Sequence, residues 1–160
     1  MRVVVADTSP LVYLILIEQV DILLQLFEIV IIPDAVHAEL LHRLAPDRVR
    51  MWAEALPLWA EVRPSPQIAD DVLRSLGAGE RAAIALALSI HAELVLIDER
   101  RGTQIAIDNG LDVSGTLGVL QRAARKGFLN LAEAFERLKK TNFRYRQEIL
   151  DKLLSELSRH

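Results

Sequence analysis

The chain has 160 residues, 51% hydrophobic and 26% charged, which is enough apolar material for one packed domain and unlike a disordered polymer. The net charge of -3 gives no broad cationic surface for nucleic acid, and the absence of cysteine excludes disulfide scaffolds, thiolate catalysis and thiolate zinc sites. This composition fits a reducing cytoplasm. The N-terminus lacks a cationic lead and a small-residue cleavage site, and Glu18, Asp21 and Glu28 break the apolar stretches before any could span a membrane.

The first predicted element is a strand, about Arg2 to Ala6, whose short apolar run reads as buried on both faces. A helix follows from about Pro10 to Gln19, with proline suited to a first turn. Asp21 then caps a short helix reaching Phe27, and Glu28 to Ile32 forms a second buried strand stopped by Pro33. Asp34 to Leu44 reads as a helix, with Val36, Leu40, Leu41 and Leu44 on one broad apolar face. Pro46 opens another helix containing Trp52, and Glu61-Val62-Arg63 reads as a short edge strand.

Gln67 to Leu76 looks helical and ends at Gly77-Ala78-Gly79. An alanine-rich helix runs from there to about His91, and Glu93 to Ile97 is a third buried strand followed directly by Asp98. A helix over Gly102 to Asn109, a short strand over Leu111 to Ser114 and a helix from Thr116 to Lys126 come next. Two helices, about Leu131 to Lys140 and Tyr145 to Ser158, complete the chain. Helices alternating with short apolar strands predict an α/β fold, a central parallel sheet with helices on both faces, in a single domain spanning 1–160.

Two strands end alike, Val-Val-Val-Ala in Asp7 and Leu-Val-Leu-Ile in Asp98. Ligands of open α/β sheets collect beyond the carboxyl ends of the strands, so parallel neighbours would bring both carboxylates to one rim. Two such groups repel, and a divalent cation would resolve the repulsion. The competing reading of Asp7 is a helix cap, a role that Thr8 or Ser9 fills equally well. Glu39 sits in an apolar helix and reads otherwise as a solvated face; Glu80 sits in a first helical turn, where the helix dipole alone favours an acid. His37, His42, His91 and His160 form no convincing zinc set, since His37 and His42 do not share a helix face.

Four segments then carry a resemblance. They are Val5-Ala6-Asp7-Thr8-Ser9-Pro10-Leu11, Ile32-Pro33-Asp34-Ala35-Val36-His37-Ala38-Glu39-Leu40, Leu76-Gly77-Ala78-Gly79-Glu80-Arg81-Ala82-Ala83-Ile84 and Leu94-Val95-Leu96-Ile97-Asp98-Glu99-Arg100-Arg101. In this order they resemble the PIN domain, and especially the small VapC-type ribonuclease toxins of bacterial and archaeal toxin–antitoxin pairs, over about Val3 to Gly127. The resemblance implies a three-layer α/β/α sandwich and an endoribonuclease dependent on Mg2+ or Mn2+. Asp7, Glu39, Glu80 and Asp98 would be its catalytic and metal-binding acids, with Ser9 as a hydroxyl neighbour. It also implies RNA as substrate, a cognate antitoxin and self-association as a dimer.

The chain departs from many relatives in having Leu96 where a threonine is common, and Glu99 as the only acid close after Asp98. Arg100 and Arg101 are the first candidates for a flanking phosphate, ahead of Arg122, Arg125 and Lys126 or Lys139, Lys140, Arg144 and Arg146, the last group reading better as a solvated face. Trp52 and Trp59 read as core or partner contacts. Four acids in one place repel without a cation, so Asp98→Asn is expected to spare or stabilise the metal-free fold. The alternative to a nuclease is a catalytically weak PIN-like module that binds RNA or protein.

Overall fold

A computed structural model describes residues 2–68 and 70–158. Among these, five strands build one parallel sheet: β1 (Val3–Ala6), β2 (Ile29–Pro33), β3 (Ala60–Arg63), β4 (Leu94–Leu96) and β5 (Val113–Ser114), in the spatial order β3-β2-β1-β4-β5. The helices are α1 (Thr8–Leu16), α2 (Ile22–Leu26), α3 (Asp34–Leu40), α4 (Asp47–Glu54), α5 (Asp71–Arg74), α6 (Ala78–Ile90), α7 (Arg100–Asp108), α8 (Thr116–Arg125), α9 (Leu131–Lys139) and α10 (Gln147–Ser158). β1 is the central strand, with Val4 in register with Val30 on one side and Leu94 on the other.

The strands read as continuous apolar runs because both faces of the sheet are covered. Val4, Ala6, Val30, Ile32, Leu94 and Leu96 point into one core, closed by residues such as Leu11, Leu14, Val119, Leu120 and Phe135. Val5, Ile31 and Val95 point into the other, closed by Ala83, Ile84, Ala87, Ile105 and Ala106. The result is the expected three-layer sandwich. The C-terminal helices belong to it fully: Leu131, Phe135, Leu138 and Leu150 are buried in the first core.

Three local readings differ from the sequence expectation. Helix α1 starts at Thr8, so Pro10 falls within its first turn, where its missing N–H costs nothing. Helix α3 stops at Leu40 instead of running to Leu44. The chain turns there because His42 Nδ1 accepts the Leu44 amide at 3.1 Å and Pro46 disfavours helical geometry at Ala45. The helix expected over Gln67 to Leu76, a span that includes the undescribed residue 69, is a single turn. Asp70 Oδ1 accepts the Val72 and Leu73 amides at 2.8 and 3.4 Å and so fixes the start at Asp71.

Candidate active site

The chain runs from β1 outward through β2 to β3, then crosses back to β4 on the other side of β1, so the strand order reverses there and the carboxyl end of β1 lies at a topological switch point. Asp7 stands there, 5% exposed, and its amide donates to Leu96 O at 2.8 Å, tying the two strand ends together. It occupies the N-cap position of α1 yet makes no side-chain capping bond, so the capping role does not account for it. Glu39 comes from the last turn of α3, Glu80 from the first turn of α6, and Asp98 from just beyond β4. Glu99 is the N-cap of α7, its oxygens accepting the amides of Arg101 at 3.0 Å and Gly102 at 2.7 Å.

Asp7, Glu39, Glu80 and Glu99 line one cavity of about 320 Å³, with Thr8 and Ser9 on its wall. Gly79 allows the first two to meet beside α6: a Cβ added there would lie 2.8 Å from Glu39 Oε1 and 3.1 Å from Asp7 Oδ1. Gly102 does the same for the second pair, since its Cβ would lie 2.7 Å from Glu80 Oε2 and 3.4 Å from Glu99 Oε2. Asp98 opens instead into an adjoining cavity of about 550 Å³, which shares Ser9, Tyr13 and Glu99 with the first. Its Oδ1 accepts the Thr116 amide at 2.7 Å, and its Oδ2 accepts the Thr116 hydroxyl at 2.7 Å and the Ser9 hydroxyl at 3.1 Å.

The electrostatics follow from burial and crowding. Burial raises the Asp7 carboxyl to about 7, helped by the charges of Glu39, Asp98 and Glu99, while the Thr8 amide works the other way. Burial raises Glu80 to about 7 as well, with the neighbouring Glu99 and Asp7 adding to it. Glu99 is held below the usual carboxylate range, chiefly by the Gly102 amide and then by Glu80. Glu80 Oε2 is buried without a hydrogen-bond partner among the described residues. A buried carboxylate oxygen without a partner beside other acids is a group that a bound cation would satisfy.

Among the described residues, no three acids or histidines are yet gathered as a ligand cage. The side chains are paired elsewhere: Glu39 with the Thr8 hydroxyl, Asp98 with Thr116 and Ser9, and Glu99 with the α7 amides. The donor set is nonetheless all oxygen, which suits a hard divalent ion such as Mg2+ or Mn2+, and Glu80 lines the cavity with Asp7 and Glu39.

A protein-family model described as PIN domain matches residues 3–159. The chain belongs to the PIN-domain family. PIN domains are generally nucleases and typically use divalent metal ions. The match reaches past Gly127, in keeping with the burial of α9 and α10 in the core of this PIN domain. A comparison with curated proteins finds no match.

Other sequence candidates fall in different places. Arg101 reaches Ser75 Oγ at 2.8 Å, and Arg100 is exposed at the start of α7. The cation that lines the cavity beside Asp98 is Arg144, a residue the sequence reading left to solvent. His37 Nε2 lies 2.9 Å from Ala53 O and His42 holds a turn, while His160 lies outside the described residues. Sequence reasoning left Glu99 and Thr116 out of the site. Each carried a signal, an acid or a hydroxyl at the junction of a strand end and a helix start.

No described helix of this PIN domain is long and apolar enough to cross a membrane. Trp52 and Trp59 pack against the first core with ring centroids 6.0 Å apart.

Proposed function

We propose that this PIN domain is a metal-dependent endoribonuclease of the cytoplasm and the toxin of a type II toxin–antitoxin pair. The observation that carries the reading is the shared cavity of Asp7, Glu39 and Glu80, in which two of three carboxyls are pushed to about 7. Such a group of acids ionises fully only with a cation among them.

Asp7, Glu39 and Glu80 would hold Mg2+ or Mn2+, with Asp98 supplying a further oxygen from the adjoining cavity. Bound there, the ion supplies charge neutralisation at the phosphate and activation of the attacking water. The chain's own groups set the geometry. Thr8 orients Glu39, Thr116 and Ser9 orient Asp98, and the buried position of Asp7 keeps its carboxyl from wandering. In the metal-free protein, Asp7 and Glu80 hold protons near neutral pH, and cation binding releases them.

A toxin nuclease needs an inhibitor, so the reading includes a cognate antitoxin and a dimeric toxin. Leu44, Met51 and Leu58, respectively 79%, 68% and 106% exposed around α4, offer apolar contact area for one of them. The second reading, a catalytically weak binding module, draws on the engagement of Glu39, Asp98 and Glu99 with protein donors.

Incubation of the purified chain with total RNA in Mg2+, Mn2+ or chelator separates the two. The nuclease reading expects cleavage with either metal, none in chelator, and none from Asp7→Asn. RNA that stays intact with the wild-type chain in both metals favours the binding module.

A further inference from the structure

The adjoining cavity is larger than the acidic one and differently built. Tyr13 on α1 and Phe143, in the loop between α9 and α10, form an aromatic wall with ring centroids 4.9 Å apart and planes at 72°. Asn142 and Arg144 flank Phe143 on the same wall. The loop is fixed in place: the Thr141 hydroxyl donates to Leu138 O at 2.6 Å and accepts the Phe143 amide at 3.2 Å. At about 550 Å³ the cavity is of the size that holds small organic ligands.

Its polar character is one-sided. The Tyr13 hydroxyl donates to Asn142 Oδ1 at 3.0 Å, which leaves the Asn142 amide nitrogen as the free end of that side chain. Arg144 has no ion-pair partner among the described residues, and a guanidinium only donates. Asp98 and Glu99 also stand on the cavity wall, but their oxygens already accept hydrogen bonds, Asp98 from Thr116 and Ser9, and Glu99 from the α7 amides. The cavity therefore offers its occupant an aromatic wall, and the polar groups not already engaged on that wall are the donors of Asn142 and Arg144.

We propose that this cavity receives the base next to the scissile phosphate and selects guanine and uracil over adenine and cytosine. The proposal rests on the nuclease reading of the acidic cavity for the position of the phosphate. Ser9, Tyr13 and Glu99 belong to both cavities, so a nucleotide whose phosphate lies at the acids has its base within reach of Phe143. An unpaired base stacks on aromatic side chains, and every base has a face to offer. Discrimination comes from the edges. Guanine sets two acceptors, O6 and N7, side by side, and uracil sets O4 where cytosine carries an amine; adenine N7 and cytosine N3 also accept, but each lies beside an exocyclic amine that meets Asn142 and Arg144 donor to donor.

Free nucleosides test the cavity without metal, phosphate or turnover. Guanosine, uridine, adenosine and cytidine are titrated into the full chain in chelator, followed by 15N NMR. Guanosine and uridine are expected to shift the Asn142 side-chain amide and the Phe143 and Gly118 backbone amides, with adenosine and cytidine about fivefold weaker. Phe143→Ala should weaken guanosine about tenfold. Asn142→Asp, an exposed change that disturbs no packing, should reverse the order by replacing a donor with an acceptor. Shifts confined to other surfaces, no shifts at all, or an order unchanged in Asn142→Asp would overturn the proposal. Mapping of cut sites on RNA is the second arm, and Asn142→Asp should move the cuts away from guanine and uracil. A wild-type chain that cleaves nothing removes the nuclease reading, while nucleoside binding still decides the base site. Cleavage with no nucleoside bound at Phe143 and cut sites unmoved removes the base site alone.

Discussion

Thr116 holds Asp98 with two donors, its amide on Oδ1 and its hydroxyl on Oδ2, each at 2.7 Å. Thr116 is fully buried and the carboxylate is half-buried, so these bonds act away from bulk water. Thr116→Val keeps the shape and removes the hydroxyl bond, which should cost about 1.5–3 kcal/mol for a bond to a charged acceptor. Asp98→Asn should also destabilise, because its NH2 would face a donor from Thr116 or Ser9. That reverses the stabilisation expected from sequence for removing this charge. Urea denaturation in chelator measures both; wild-type stability in Asp98→Asn would show that the bonds carry no net energy.

The relief of charge belongs to Asp7. This carboxyl is 5% exposed, and both its burial and the nearby charges of Glu39, Asp98 and Glu99 raise it to about 7. Asp7→Asn should therefore raise the melting temperature of the metal-free protein at pH 8, by on the order of a few kcal/mol in stability. The same variant should lose RNA cleavage. A melting temperature equal to or below that of the wild type in chelator would contradict the crowding argument.

Stability of the chelated protein should depend on pH in a stated direction. Below its ordinary value of 3.8, Asp7 is protonated whether folded or unfolded; between there and about 7 only the unfolded chain gives up the proton. Its contribution is thus fully present at low pH and lost as pH rises through about 7. Glu80, raised from 4.5 to about 7, acts in the same sense. Glu99 is lowered and acts oppositely, losing its contribution only as pH falls below the usual carboxylate range. Melting in chelator should therefore be higher at about pH 5 than at about pH 8, and less so in Asp7→Asn. Saturating Mn2+ should flatten the curve on the alkaline side, because the cation replaces the protons.

Gly79→Ala probes the approach of α6 to the acids. The new Cβ would lie 2.8 and 2.9 Å from the two Glu39 carboxylate oxygens and 3.1 Å from Asp7 Oδ1. Glu39 is the exposed end of a flexible side chain and can swing away, whereas Asp7 is buried. Stability should change by less than about 1 kcal/mol, since helix propensity favours alanine by about that amount. Cleavage should fall sharply, because Glu39 is displaced from the cavity. Full activity in Gly79→Ala would mean that Glu39 is not needed where it stands.

What the sequence disclosed follows the range of the forces involved. The strands at Val3, Ile29 and Leu94 were legible because a parallel sheet covered on both faces demands unbroken apolar runs. The approach of Asp7 and Glu39 was legible from strand ends and a family pattern, and the pairing of β1 with β4 from their matching termini. Helix α3 is shorter than its apolar periodicity predicts because the Leu44 amide is taken by the His42 ring, a contact invisible to periodicity. Asp98 stands in the cavity adjoining that of Glu80, across a wall of Ser9, Tyr13 and Glu99 common to both, and the Thr116 bonds that hold it there leave no mark in the local sequence pattern. Asn142 carried no local signal, and Arg144 stood only in a cationic group that reads better as a solvated face. Their position depends on how α9 and α10 pack on α8, a matter of tertiary contact alone.

The register of Val4 with Leu94 has a consequence for the order of events during synthesis. On a ribosome, β1 and β2 emerge early and can pair at once, but β1 waits for β4 until more than half of the chain has been made. Glu80 and then Asp98 follow well after Asp7 and Glu39, so a nascent chain carries the first two acids without the residues that complete the rim. On the nuclease reading, a polypeptide still attached to the ribosome lacks a complete acidic rim until β4 inserts beside β1.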